Sequence, residues 1–116
     1  MKKSAILMIA VVALAMASCT TTQPLYSWHN SEDAAYQYTK KLTDAELAEA
    51  MAQYKMVIEQ QKGTRATVPP GANAEYGYML VKAGRKQEGI ALLKAEMELY
   101  PESKTFVSRI VNQLEK

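Results

Sequence analysis

Residues Asn73–Pro101 read NAEYGYMLVKAGRKQEGIALLKAEMELYP, a helix-forming run interrupted by three glycines. Ala72 to Ala83 reads as one helix, ended by Gly84 as a left-handed cap. A second helix runs from about Lys86 to Tyr100, with Ile90, Leu93 and Met97 at steps of three and four, and Pro101 opens the next segment. Gly77 and Gly89 fall inside these helices, where glycine costs about 1 kcal/mol relative to alanine. Two such costs are explained if their lack of a side chain lets the paired helices approach closely, with Leu80 and Leu93 filling the space between them. The stretch is therefore a helical hairpin.

The same punctuation continues in both directions. Downstream, Phe106, Val107, Ile110, Val111 and Leu114 form an apolar stripe, with Lys104, Arg109, Asn112 and Glu115 on the polar side. Upstream, Asn30 and Ser31 are suitable N-caps, Glu32 and Asp33 suit a first helical turn, and Ala34, Tyr38 and Leu42 recur every four residues, giving a helix near 31–41. Thr43 and Glu46 have capping-box spacing, and Leu47, Met51, Tyr54 and Ile58 mark one face of a helix over 44–62. Gly63 is expected to stop that helix, and Gly63 to Gly71, with two prolines, is the one real loop. No segment alternates as a strand would. The expected fold is all-α, about five helices arranged as antiparallel hairpins.

The N-terminus has a separate logic. Met1-Lys2-Lys3 is basic, Ala5 to Ala17 is wholly apolar, and Ser18-Cys19-Thr20 follows. Thirteen apolar residues rise only about 20 Å as a helix, short of a bilayer core of about 30 Å, so this is a signal peptide and not a span. Met16-Ala17-Ser18-Cys19 resembles the lipobox of bacterial lipoproteins. That resemblance implies cleavage before Cys19, lipidation of its thiol, and a bilayer partner held through acyl chains. Thr20, where Asp would retain a lipoprotein in the inner membrane, implies the outer membrane by the same resemblance. The organisation is then signal peptide 1–18, lipidated terminus and tether 19–24, and helical domain 25–116. Thr20 to Pro24 spans at most about 18 Å, which keeps the domain near the lipid. Tyr26 and Trp28 are expected to pack, because exposed large aromatics make a sticky surface.

Residues 73–101 also resemble a tetratricopeptide repeat, with Asn73, Tyr76, Gly77, Leu80, Gly89, Leu93 and Pro101 at its key positions. Gly77 and Pro101 are identical to the pattern, and Asn73 replaces its tryptophan. Leu25-Tyr26-Ser27-Trp28, Val68-Pro69-Pro70-Gly71, Ala74-Glu75-Tyr76-Gly77-Tyr78 and Leu99-Tyr100-Pro101-Glu102-Ser103, together with the lipobox, resemble a family of small Gram-negative lipoproteins known only as a domain of unknown function. Genes of that family commonly lie beside one for a lipoprotein similar to the curli secretion channel. The resemblance thus implies an assembly partner at the outer membrane, either another lipoprotein or a secretion-channel-like protein. It supplies no catalytic residues.

Composition narrows the function classes. The 14 basic and 12 acidic side chains become 12 and 12 once Lys2 and Lys3 leave with the signal, which offers no footprint for nucleic acid. One His and one Cys make neither a Cys/His metal site nor a Cys–His nucleophile, and no cofactor is expected. Seven Tyr accompany a single Phe and a single Trp, and tyrosine favours half-buried surfaces and interfaces. Tyr76 and Tyr78 are two apart on one helix and cannot both face the core. Tyr36, Tyr54 and Tyr78, with Glu75 beside them, are the expected partner-binding residues; rim-of-core packing is the other reading of the tyrosines. Asp44, Glu46 and Glu49 fit a helix first turn better than a catalytic carboxylate pair, and His29 has no evident nucleophile or second ligand. The expected role is a non-enzymatic interaction or assembly module on the periplasmic face of the outer membrane. A small periplasmic hydrolase or cell-wall-associated enzyme is the alternative, and a self-associating structural subunit a third.

Overall fold

The computed structural model describes residues 1–16 and 21–116, and every regular element among them is helical. The helices are α1 (Lys2–Met16), α2 (Ser31–Lys41), α3 (Asp44–Glu59), α4 (Ala72–Lys82), α5 (Lys86–Leu99) and α6 (Lys104–Glu115). Helices α2 and α3 pack as one hairpin and α4 and α5 as another, while α6 folds back onto α5. No described helix is long and apolar enough to cross a membrane. Cys19 lies outside the described residues.

The central hairpin forms as its glycines require. A Cβ at Gly77 would sit 2.7 Å from the Gly89 carbonyl oxygen, and one at Gly89 would collide with the Gly77 carbonyl oxygen. Each helix therefore rests its backbone on the other at the one position where no side chain intervenes. Gly84 takes φ +83° and donates its N–H to the Val81 carbonyl (3.1 Å), while the Arg85 N–H reaches the Leu80 carbonyl (2.8 Å). This Schellman closure satisfies the last carbonyls of α4 and turns the chain into α5.

Other boundaries differ from expectation for local reasons. Thr43 caps α3, its Oγ1 accepting the Glu46 N–H at 3.3 Å, but Glu46 spends its carboxylate on Lys41 Nζ (2.7 Å), so only half of a capping box forms. Neither Asn30 nor Ser31 caps α2 with its side chain; Ser31 is the first helical residue, and its buried Oγ has no partner. Helix α3 ends at Glu59 and not at 62, because Gln61 turns its amide to the preceding segment. Its Oε1 accepts from Ser27 N (2.5 Å), and its Nε2 donates to Ser27 O (3.1 Å) and Val57 O (2.9 Å). Pro101 opens a 3₁₀ turn, Pro101–Ser103, before α6 begins.

Two apolar clusters hold the helices together. Ala34, Leu47, Ala50, Tyr54, Val57, Ala72 and Met79 join α2, α3 and α4, with Trp28 packed against them. Ile90, Leu93, Val107 and Val111 join α5 and α6. Fully burying a side chain such as Leu93 contributes roughly 2 kcal/mol. The segment ahead of α2 is clamped across the loop after α3: Thr64 N donates to Pro24 O (3.0 Å) and Arg65 N to Leu25 O (3.1 Å). Gly63 sits directly under the Leu25–Tyr26 backbone, so its missing side chain serves this close approach and not a helix cap.

Candidate functional site

Helices α2, α4 and α6 share one side of the domain, with a groove on either flank of α4. The groove toward α2, about 300 Å³, is walled by Tyr38, Thr39 and Leu42 opposite Glu75, Tyr78 and Lys82. The groove toward α6, about 440 Å³, is walled by Glu75 and Tyr78 opposite Phe106, Ile110 and Gln113. Glu75 and Tyr78, one turn apart on α4, thus form the ridge between the grooves. Lys82 Nζ lies 5.2 Å from the centre of the Tyr78 ring, a cation–π contact that holds that ring against α4.

The most exposed apolar side chains lining these grooves, Leu42 and Phe106, were not among the residues expected to bind a partner. Phe106 belongs to the apolar stripe of α6, yet it is 70% exposed, because α5 covers only the Val107 and Val111 side. Leu42 continues the spacing of Ala34 and Tyr38, but it caps α2 in the left-handed region at φ +54° and is 72% exposed. A left-handed conformation costs a non-glycine residue about 1 kcal/mol. His29 and Ala66 also take positive φ; of the three, Leu42 lines the α2/α4 groove.

The tyrosines divide. Tyr78 is exposed on the ridge, and Tyr36 is exposed on α2 but lines neither groove. Tyr54 corrects the expectation: it is buried in the first cluster at 7% exposure, because its face of α3 packs against α2 and α4. Burial, reinforced by the charges of Glu75 and Glu32, pushes its hydroxyl pKa above the usual value.

A third cavity, about 380 Å³, continues past Ala74, Glu75 and Phe106 to the start of α6. Glu96 of α5 lines it and is only 2% exposed. Its Oε1 accepts the Gly71 N–H at 2.7 Å, at the positive end of α4, while Oε2 is buried without a hydrogen-bond partner. The available signal was a glutamate next to Met97 on the Ile90–Leu93–Met97 stripe.

Two of the remaining polar candidates have hydrogen-bond partners. Glu49 Oε1 accepts from Gln53 (2.9 Å), and His29 donates from Nε2 to the Gln60 carbonyl (3.0 Å). Among the described residues, no group of three or more His, Cys, Asp or Glu is arranged to hold a metal ion.

Tyr100 pins the loop above the third cavity, its hydroxyl donating to Val68 O at 2.5 Å. Its pKa is pushed up to about 12, first by burial, then by Tyr26 beside it and by the charge of Glu96, with Arg65 pulling the other way. A raised folded-state value means that the neutral donor form stabilises the fold. That stability is complete below the unfolded value of 10.0 and is lost as pH rises through about 12. The urea midpoint should therefore fall over this window in the wild type. Tyr100→Phe should start about 1 kcal/mol less stable at pH 8 and lack this part of the alkaline decline; an identical decline in the variant overturns the assignment.

The family model described as "Domain of unknown function (DUF4810)" matches residues 25–110. No curated protein and no solved structure matches the chain.

Proposed function

This chain belongs to the DUF4810 family, a domain of unknown function, and from that premise we propose that it is an outer-membrane lipoprotein acting as a protein-interaction module. In this reading Cys19 is acylated, and the tether holds a tetratricopeptide-like domain against the periplasmic face. The α2/α4/α6 side then receives a segment of a membrane-associated partner, another lipoprotein or a secretion-channel-like protein. The role is adhesion and not catalysis.

One observation carries the docking half: Leu42, Tyr78 and Phe106 are exposed along two grooves that meet at the Glu75–Tyr78 ridge. Contiguous exposed apolar side chains beside a groove are what a partner covers. The anchoring half is supported by the basic start and by α1, whose fifteen residues are too few to span a bilayer, placed directly ahead of Ala17-Ser18-Cys19.

The test is capture of crosslinked partners from native membranes with wild type, Tyr78→Ala and Leu42→Asn. Asparagine tolerates the left-handed cap better than leucine, so Leu42→Asn should keep or raise the urea midpoint while removing groove surface. Both variants are expected to lose most of the captured partner; an unchanged partner set from folded protein overturns the docking surface.

A further inference from the structure

We propose that the end of the domain where the N-terminal segment is clamped is a lipid-contacting surface, on which Lys62 and Arg65 bind headgroup phosphates and Leu25 enters the interfacial layer. The proposal rests on the preceding reading that Cys19 is acylated, and it goes beyond that reading by naming the face turned to the bilayer.

The tether leaves the domain at a fixed point. Besides the bonds of Thr64 to Pro24 and Arg65 to Leu25, the Lys62 N–H donates to Ser27 Oγ (2.8 Å), so residues 24–27 run alongside 62–65. Lys62 and Arg65 flank Gly63, which lies under Leu25 and Tyr26. Both cationic residues thus stand beside the point where the chain leaves for Cys19, and the five tether residues reach no more than about 18 Å. The opposite end is set by α3 and α4, which run antiparallel: Asp44 and Leu47 at the start of α3 share a cavity with Lys82 and Ala83 at the end of α4. The sixteen residues of α3 put that end about 24 Å away.

Charge and polarity distinguish the two ends. Lys62 and Arg65 are exposed, and among the described residues neither forms a salt bridge. Arg65 lies instead over the Tyr26 ring, 5.9 Å from its centre. At the far end Lys41 is paired with Glu46 (2.7 Å) and Arg85 with Glu88 (2.6 Å), while Lys82 lies against Tyr78. Neither strand of the clamp supplies a carboxylate: residues 19–31 and 60–74 contain none. Beyond them, Glu32 and Asp33 occupy the first turn of α2, where the helix dipole offsets them, and Glu59 is 4.0 Å from Lys55. Glu102, on the turn after Tyr100, lies at this end as well, which confines the cationic contact to the clamp edge. There Leu25 is 55% exposed, beside half-buried Tyr26 and Trp28, residue types suited to a membrane interface. Cations near an anionic lipid surface and an apolar side chain in its interface both favour contact. Two cations and one leucine orient a tethered domain; they are too few to hold it without the acyl chains.

The experiment uses the full acylated chain in vesicles of equal parts phosphatidylcholine and phosphatidylglycerol. Cys19 is the chain's one cysteine, so the acylated wild type has no thiol, and Thr64→Cys and Lys86→Cys each present one for a nitroxide label. Thr64 is beside the clamp and Lys86 opens α5 at the far end; both are exposed. The Thr64 label is expected to collide with a neutral, water-soluble nickel chelate at least about fivefold less often than the Lys86 label, the factor that one Lys or Arg at an anionic surface supplies. Combining Lys62→Gln with Arg65→Gln should remove most of that protection. Both side chains are exposed and their clamp bonds run through backbone N–H groups, so this variant keeps the fold. Equal accessibility of the two labels overturns the proposal, as does undiminished protection in the glutamine variant. Those failures leave the anchor intact while the wild type takes no label; a labelled wild type defeats the anchor itself, and the proposal with it.

Discussion

Replacing Gly89 with alanine is expected to destabilise the helical domain by about 3 kcal/mol, where the same change at an ordinary helical site would stabilise it by about 1. The sign is what makes the measurement diagnostic. Alanine is the better helix former, so intrinsic propensity favours the variant. Against that, the new Cβ would collide with the Gly77 carbonyl oxygen and lie 2.6 Å from Val81 Cγ2. The carbonyl belongs to a helix backbone and cannot swing aside as a flexible side chain would, so α4 and α5 must separate. Separation loosens Leu80 and Leu93, which are buried at 2% and 0% exposure. A domain of this size has only about 5–15 kcal/mol of stability in total. With a urea dependence of about 1–3 kcal/mol per molar, the midpoint should fall by 1 M or more. Gly77→Ala should act in the same direction, and the double variant should cost less than the sum, because helices already parted for one methyl accommodate the second. A midpoint for Gly89→Ala equal to or above that of wild type overturns the close-packed hairpin.

The second large effect concerns location. Under the proposed function, Cys19→Ala should abolish incorporation of labelled palmitate and leave a full-length precursor with its signal segment attached. The expected change is all-or-none because the thiol is the attachment point. One acyl chain gives only marginal, reversible membrane binding, and stable anchoring needs at least a second. The helical domain offers no replacement: its helices are amphipathic, and no described helix reaches spanning length. Cleavage of the variant at the usual place, with normal membrane retention and no lipid label, would overturn the anchor while leaving the groove to be judged by its own experiment.

Much of the helical architecture was legible because it depends on local patterns. The Thr43 cap, the left-handed Gly84 and the paired glycines of α4 and α5 are each specified by backbone demands that few residue types meet. The candidate site was less legible, and particular residues show why. Tyr54 and Tyr78 are the same residue type on amphipathic helices, but α3 is covered by neighbours on the Tyr54 side, whereas Tyr78 stands where α4 faces open grooves. Phe106 and Val107 adjoin in one stripe, yet α6 has α5 on one side only. Leu42 fits a periodic face by spacing, but its backbone leaves that face at the cap.

Periodicity and turn chemistry, both properties of neighbours in the chain, were enough to establish an all-helical domain of hairpins and to locate the close helix–helix contact at Gly77 and Gly89. Which apolar residues stay uncovered, and that Glu96 is enclosed with one oxygen unmatched, depended on how the hairpins stack. Burial is set by the far side of each interface, and the residues that form it, such as Gly71 against Glu96, are 25 positions apart.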